Sequence, residues 1–350
     1  MPDWRGNDDA TIVYPRNRVQ QPARKSRRGL LLGLGAGALA LGGAAAGGAW
    51  WALRKPVFQL DTLSEAQIDA ASPCTPALSY FNADRNVVVI DFPSLLDQGL
   101  TLDRVAAFVE KASQPHTRVL TDSQLAAAIS STGDTVQSYY YGHDYQAADL
   151  ARFFILADAE GITLTKQELW LKAVLTQLGW FNPGAVGAII TVPAAGGDVT
   201  PDMRSVILHH EISHGAFYTV PEYRHYTESF WYSLTDGDRA AFTGFLGRQG
   251  YDTSLTELML NETQAYLVFT PDKRFFNANA VGKTDAEVDQ LRQGFVANMP
   301  NFWLRPYATE ALPRSSGTPI CPVGADKLAA LLPRHGCACL CFGGGGFTCT

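Results

Sequence analysis

Three of the seven histidines of the chain and one glutamate lie within residues 209–214, inside the apolar stretch VILHHEISHGAFY. His210 and His214 are four residues apart, so on a helix their imidazoles lie on one face, one turn from each other. Two imidazoles with this spacing can bind one metal ion, and Glu211 between them can reach a water on that ion. The H-E-x-x-H pattern therefore predicts a metal site on a helix. His209 points to another side and is predicted to be structural.

A catalytic zinc site needs a third protein ligand, which the motif does not supply. Phe217 and Val220 stand where the extended H-E-x-x-H-x-x-G-x-x-H form has its glycine and its third histidine. The third ligand must therefore come from further along the chain. The acidic and histidine candidates are Glu222, His225, Glu228, Asp236, Asp238, Glu257 and Glu262.

Glu262 lies in the strongly apolar segment LMLNETQAYLVF, where an unpaired carboxylate would be costly. The N-E-x-x-A string in this segment resembles the second zinc-binding helix of the gluzincin metallopeptidases, and the similar region covers roughly residues 185–270. The resemblance implies that His210, His214 and Glu262 hold Zn²⁺ and that Glu211 is the general base. It also implies that the strand AIITV is an edge strand that binds substrate. Glu228 and then Glu257 are the alternatives for the third ligand.

The resemblance implies a zinc metallopeptidase that hydrolyses the peptide bonds of a protein or peptide substrate through a zinc-activated water. A tyrosine or histidine would donate a hydrogen bond to the oxyanion, and we select Tyr218 and His225 from the aromatic segment after the motif. The loop SYYYGHDY at 138–145 either lines a cleft or caps the next helix. The alternatives are a catalytically inactive metal-binding adaptor protein of the envelope and a structural envelope protein.

The periodicity of apolar residues predicts an α+β fold dominated by helices, with little sheet. The resemblance to the gluzincins implies that residues 56–330 form a zincin-like domain in which a small sheet packs on the H-E-x-x-H helix. Strands are expected at 85–92 and 185–193. Thr101 is expected to cap one helix, and Thr200 with Pro201 to begin the motif helix. The helices are expected at 101–112, 122–130, 145–161, 165–179, 201–218, 222–234, 236–248, 255–269 and 284–297.

The first 55 residues differ from the rest in charge and hydropathy. They carry nine Lys or Arg against three Asp, a net charge of +6, whereas the remainder carries 19 against 31, a net charge of −12. The uncharged run at 29–53 follows a basic flank, which predicts a cytoplasmic segment at 1–28 and a membrane anchor or a signal segment at 29–53. This pattern predicts a bacterial-type inner-membrane protein that faces the periplasm, or an exported form after cleavage. The acidic body argues against a nucleic acid partner.

The six cysteines are compatible with an oxidising compartment. Cys74 and Cys321 lie near the two ends of the folded body, and we expect them to form a disulfide. The other four lie in the Cys/Gly-rich tail at 331–350, for which we expect no packed structure. The sequence does not indicate an oligomeric state.

Overall fold

A five-stranded mixed sheet lies at the centre of the computed structural model, which describes residues 57–313. The strands stand in the order β1-β2-β3-β5-β4. Strands β1 and β2 are parallel, as are β3 and β5, whereas the β2–β3 and β4–β5 pairs are antiparallel. The strands are β1 (Asp61–Leu63), β2 (Ala77–Phe81), β3 (Val87–Phe92), β4 (Asp144–Gln146) and β5 (Ala188–Pro193).

Helices make up most of the described chain, which confirms the helix-dominated α+β prediction. Two short 3₁₀ helices, Ala278–Val281 and Arg305–Ala308, accompany them. The α-helices are α1 (Glu65–Asp69), α2 (Leu95–Val109), α3 (Asp122–Ser131), α4 (Ala147–Ala159), α5 (Lys166–Leu178), α6 (Pro201–Thr219), α7 (Pro221–Ser233), α8 (Asp236–Arg248), α9 (Thr256–Phe269) and α10 (Asp285–Asn298).

The sheet has helices on both faces, because successive residues of a strand point to opposite sides. On β3, Val87 and Val89 belong to the core shared with α6, α8 and α9. Val88 and Ile90 belong to the core shared with α2, α4 and α5. All six residues of β3 and all six of β5 are buried, as expected for central strands covered on both faces. The motif helix α6 packs on β5 as predicted.

Local capping signals determine where helix α6 begins, and one buried arginine of its first turns binds it to the sheet. The Thr200 side chain accepts a hydrogen bond from the backbone of Met203, and Pro201 opens the helix, as predicted. One turn later, the buried guanidinium of Arg204 donates to both carboxylate oxygens of Asp91 on β3, at 2.9 and 2.8 Å. It also donates to the carbonyl oxygens of Ile68 and Pro193. This network ties the motif helix to the sheet.

Three local predictions are wrong for physical reasons. Helix α2 begins after Ser94, whose side chain caps it, and the Thr101 hydroxyl donates to the Asp97 carbonyl inside the helix. The segment predicted as one helix at 145–161 starts with the strand β4, because residues 144–146 pair with β5. Finally, β5 is not an edge strand, since β3 and β4 occupy both of its sides.

The predicted inner-membrane location is also corrected. None of the helices within residues 57–313 is both long enough and apolar enough to cross a membrane. The longest of them, α6, has 19 residues and carries Asp202, Arg204 and Glu211 as well as its histidines. The predicted span at 29–53 lies outside the described residues, and we do not retain the inner-membrane location.

Cys74 is disulfide-bonded. It is the only cysteine within residues 57–313, so its partner lies outside the described residues. The pairing with Cys321 therefore stays a prediction. The predicted tail at 331–350 also lies outside the described residues.

Candidate metal centre

Helix α6 presents His210, Glu211 and His214 in the interior of the fold, where all three are buried. The two histidines are one turn apart, and their Nε2 atoms lie 3.0 Å from each other. The apolar residues of the same helix pack into the core below the sheet. The helix therefore holds two imidazoles side by side in a place that bulk water does not reach freely.

Helix α9 packs against α6 and adds a carboxylate to this pair. The Glu262 oxygens lie 3.8 Å from His210 Nε2 and 3.7 Å from His214 Nε2. Two ligand atoms that share one ion at roughly 2.0–2.2 Å can be at most about 4 Å apart. The distance between the two Nε2 atoms and the shortest distance from Glu262 to each of them satisfy this limit, although the two histidines are nearest to different oxygens of Glu262. His210, His214 and Glu262 thus form a buried group that can bind one metal ion.

The hydrogen bonds of the two imidazoles show which ring nitrogens are free for a metal. His210 Nδ1 lies 2.7 Å from Thr270 Oγ1, and the Thr270 hydroxyl donates its own hydrogen to the Ala265 carbonyl. His214 Nδ1 lies 2.9 Å from the amide oxygen of Asn261, which only accepts. Both Nδ1 atoms are therefore donors, and both Nε2 atoms carry lone pairs.

Two lone pairs that face each other at 3.0 Å repel, and the carboxylate of Glu262 beside them also needs a positive partner. Burial lowers the pKa of His214 to about 4 and lowers the pKa of His210 well below its usual value. Burial likewise raises the pKa of Glu262 well above its usual value. A cation bound between the three side chains would offset the repulsion and favour the ionised form of Glu262.

Asn261 connects the metal site to further buried polar groups. Its amide nitrogen lies 3.5 Å from the Asp144 carboxylate, and its oxygen also accepts from Gln264 at 3.3 Å. Gln264 in turn donates to the Ser213 hydroxyl and accepts from the Tyr223 hydroxyl at 2.6 Å. Outer contacts of this kind orient the first ligands of metal sites.

Two other buried groups have donor atoms equally close together, namely Asp144–Glu211–His214 and Glu110–Asp144–Glu262. Burial is the main cause that raises the pKa of Glu110 and of Asp144, and the two carboxyls repel each other. The group His210–His214–Glu262 differs from these two because it combines one carboxylate with two imidazoles, whose Nε2 atoms lie 3.0 Å apart. We therefore take it as the candidate centre.

Glu211 lies beside the two histidines, and no described residue donates a hydrogen bond to its Oε2. This oxygen is buried. Gly142 makes room for the other oxygen, since a Cβ at position 142 would lie 2.0 Å from Glu211 Oε1. Burial, followed by the nearby carboxylates of Asp144 and Glu262, raises the pKa of Glu211 well above its usual value. A cation at the centre would act in the opposite direction.

A cleft of about 640 Å³ reaches this centre from the surface, and both His210 and Glu211 line it. Tyrosines form a large part of its wall. The Tyr266 ring packs at 4.8 Å from the His210 ring, and the Tyr140 hydroxyl is buried without a partner within residues 57–313. Tyr140 thus belongs to the lining of the cleft and has a hydroxyl that no described residue binds.

The structure does not bring the other predicted residues to the centre. Tyr218 donates to Asp144, behind His214, and does not line the cleft. The His225 side chain is 83% exposed on α7 and lies 3.9 Å from Glu228. Among the alternative ligands, Glu228 and Glu257 are about half exposed, and Glu257 pairs with Arg224. His209 pairs with Glu65 at 2.7 Å, in agreement with a structural role.

Several residues of the site carry no clear signal in the sequence. Tyr140 and Gly142 lie in the segment SYYYGHDY, and Asp144 of the same segment begins β4. Lining of a cleft is one of the two roles predicted for this segment. In the sequence Asn261 is only one letter of the N-E-x-x-A string, and its contact with His214 explains why an amide stands there.

No family model matches the chain, and neither a curated protein nor a solved structure matches it. The assignment of a function therefore rests on the residues and their geometry.

Proposed function

We propose that the chain is a zinc-dependent hydrolase of peptide bonds, similar in its site to the gluzincin metallopeptidases. One observation carries this proposal. Two imidazoles and a carboxylate lie within 3.8 Å of one another, and Glu211 stands beside them in the lining of the cleft, with one buried oxygen that has no hydrogen-bond partner among residues 57–313. A ligand set of two nitrogens and one oxygen that leaves a position open to a cleft is typical of catalytic zinc.

His210, His214 and Glu262 would hold the ion. When bound, zinc supplies Lewis acidity, which makes water a nucleophile near neutral pH and polarises a carbonyl. Zinc also fits the donor chemistry better than calcium or magnesium, which prefer oxygen ligands. The carboxylate neutralises part of the charge of the ion in a buried place, where an uncompensated charge would be costly.

Glu211 would move the proton in the reaction. It lines the cleft and has a carboxylate oxygen within 4.8 Å of a His214 ring nitrogen, so its carboxylate would accept a proton from water in the cleft. The same carboxylate would then deliver the proton to the leaving amine. The unpartnered Tyr140 hydroxyl is the candidate donor for the developing oxyanion, in place of Tyr218 and His225.

Two variants of the full chain test the proposal because they should fail in different ways. Glu262→Ala removes an anionic ligand, so we expect the purified protein to lose most of its zinc and its activity. Glu211→Gln keeps the shape and all three ligands, so we expect stoichiometric zinc and no hydrolysis. Zinc content is measured by atomic absorption and hydrolysis by mass spectrometry of a peptide library.

Glu257→Ala is the matched control, since Glu257 lies on the same helix but is half exposed and pairs only with Arg224. We expect it to keep zinc and activity. Zinc retained by Glu262→Ala would refute the ligand set, and full activity of Glu211→Gln would refute the proton transfer. Zinc bound by the parent without turnover of any peptide would favour the inactive adaptor.

A further inference from the structure

Lys111 is a buried cation that forms no ion pair with a carboxylate in the described part of the chain. It follows α2 in the chain and is only 4% exposed. Its Nζ donates to the Tyr139 carbonyl at 3.2 Å and lies 4.0 Å from the ring centroids of both Tyr139 and Tyr140. Within residues 57–313, it forms no ion pair, so two of its three N–H donors have no acceptor there.

Such an arrangement is unusual, because a buried ammonium is normally paired or fully hydrogen-bonded. The two tyrosine rings compensate for a part of the lost hydration through their negative faces. They also hold the flexible lysine stem in one place. Burial lowers the pKa of Lys111, and the carboxylates of Glu110, Asp134 and Asp103 at longer range oppose this effect. An anion that accepts the free N–H groups would complete the site.

Lys111 lines the same cleft as His210 and Glu211, so an anion bound to it would be part of a molecule that also reaches the candidate metal centre. Two exposed cations, Arg248 and Arg274, line the cleft as well. The acidic residues of the lining are Glu211 and Asp134, and the Asp134 carboxylate accepts from the hydroxyls of Thr132 and Ser138. Arg274 pairs with Asp272, which leaves Lys111 and Arg248 as the cations of the lining without an ion pair in the described part of the chain.

We propose that Lys111 is a specificity-determining residue that binds a carboxylate of the substrate. This inference rests on the proposed peptide hydrolysis, because it makes the substrate a peptide with an acidic group near the bond to be cleaved. In a peptide, the carboxylate comes either from an Asp or Glu side chain or from a free C-terminus. Charge-assisted hydrogen bonds to a buried ammonium are about twice as strong as neutral ones, which makes Lys111 the main source of selectivity.

Peptide binding to the zinc-loaded Glu211→Gln full chain tests the inference by calorimetry without turnover. Three alanine-rich hexapeptides serve as probes: one with an internal Glu and blocked ends, its Gln counterpart with blocked ends, and the Gln peptide with a free C-terminal carboxylate. We expect one of the two anionic peptides to bind roughly 10- to 100-fold more tightly than the blocked Gln peptide. The anionic peptide that does so identifies the source of the carboxylate.

Lys111→Met in the same background keeps the length of the stem but removes the charge, and we expect the preference to fall to about twofold or less. Lys111→Gln is a second variant that keeps a polar end, and it should lose the preference in the same way. Lys172→Met removes a cation that pairs with Asp158 away from the cleft, and it should retain the preference. Thermal unfolding verifies that each variant is folded.

Equal binding of all three peptides by the parent would overturn the inference, and so would a preference that survives both Lys111 substitutions. The titrations are repeated after removal of zinc. Failure of the protein to bind zinc would count against the proposed function. The tighter binding of the anionic peptide, and its dependence on Lys111, is measured both with and without zinc. The two proposals therefore fail in distinguishable ways.

Discussion

Replacing Gly142 with alanine should displace Glu211 while leaving the three proposed ligands in place. A Cβ at position 142 would lie 2.0 Å from Glu211 Oε1 and 2.7 Å from its Cδ. Contacts of a Cβ below 3.0 Å are essentially never found in proteins, so the carboxylate must move by about 1 Å or more. The ligand atoms of His210, His214 and Glu262 are not among the atoms that the new methyl group would meet most closely.

The expected loss of activity follows from the size of this displacement. A misplacement of about 1 Å at a reacting group costs on the order of 100-fold in rate. Complete loss of a general base costs up to about 10,000-fold. We therefore expect kcat/KM to fall between about 100- and 10,000-fold. The free energy of unfolding should change by about 1 kcal/mol or less, because the carboxylate can swing toward the cleft.

The assay measures kcat/KM on a peptide that the parent cleaves, together with zinc content and the thermal midpoint. Gly294→Ala is the matched control: Gly294 lies in α10, and a Cβ there meets no atom within 4 Å. It should leave activity unchanged and stabilise the helix by up to about 1 kcal/mol. A Gly142→Ala protein with full zinc and full activity would refute the role of Glu211 as placed here.

Three further predictions concern the support of the site and the stability of the fold. Asn261→Ala removes the acceptor of the His214 Nδ1 hydrogen, so zinc affinity should fall about 10- to 100-fold, measured by competition with a chelating dye; an unchanged affinity would contradict the tautomer assignment. Arg204→Met leaves Asp91 buried without its partner and should cost about 3–5 kcal/mol in urea denaturation, whereas a loss below 1 kcal/mol would show that the pair is dispensable. Cys74→Ser removes a disulfide and should cost about 2–5 kcal/mol, and mass mapping of the parent would test whether Cys321 is the partner.

Much of the helical part of the fold could be predicted because its signals are local. The motif helix begins at Pro201 after the Thr200 cap, as expected, and α3, α5, α8, α9 and α10 lie within two residues of their predicted bounds. The short strands β1, β2 and β4 were not predicted. A strand of three to five residues has too little periodicity of its own and exists only through its pairing with neighbours.

The sequence by itself determined the pair His210–His214 with Glu211 between them, because a spacing of four residues on one helix fixes their relation without help from the rest of the chain. The sequence also showed that the Glu262 carboxylate lies in an apolar helix, where its burial is unfavourable without a partner. Only the resemblance to the gluzincins indicated that this partner is the metal held by the two histidines.

The other residues around the candidate centre are brought together only by the tertiary structure. Gly142 lies against Glu211, Asp144 lies behind His214, and Lys111 stands in the wall of the cleft. These residues are separated from the motif by about 70 to 100 positions, and no local rule relates residues so far apart in the chain. Gly142 and Asp144 reach the site because β4 adds to the free side of β5 and carries its preceding loop to α6. Lys111 reaches the cleft from the end of α2, where its backbone pairs with Tyr251. That same pairing makes β5 a central strand, which its own apolar run could not reveal.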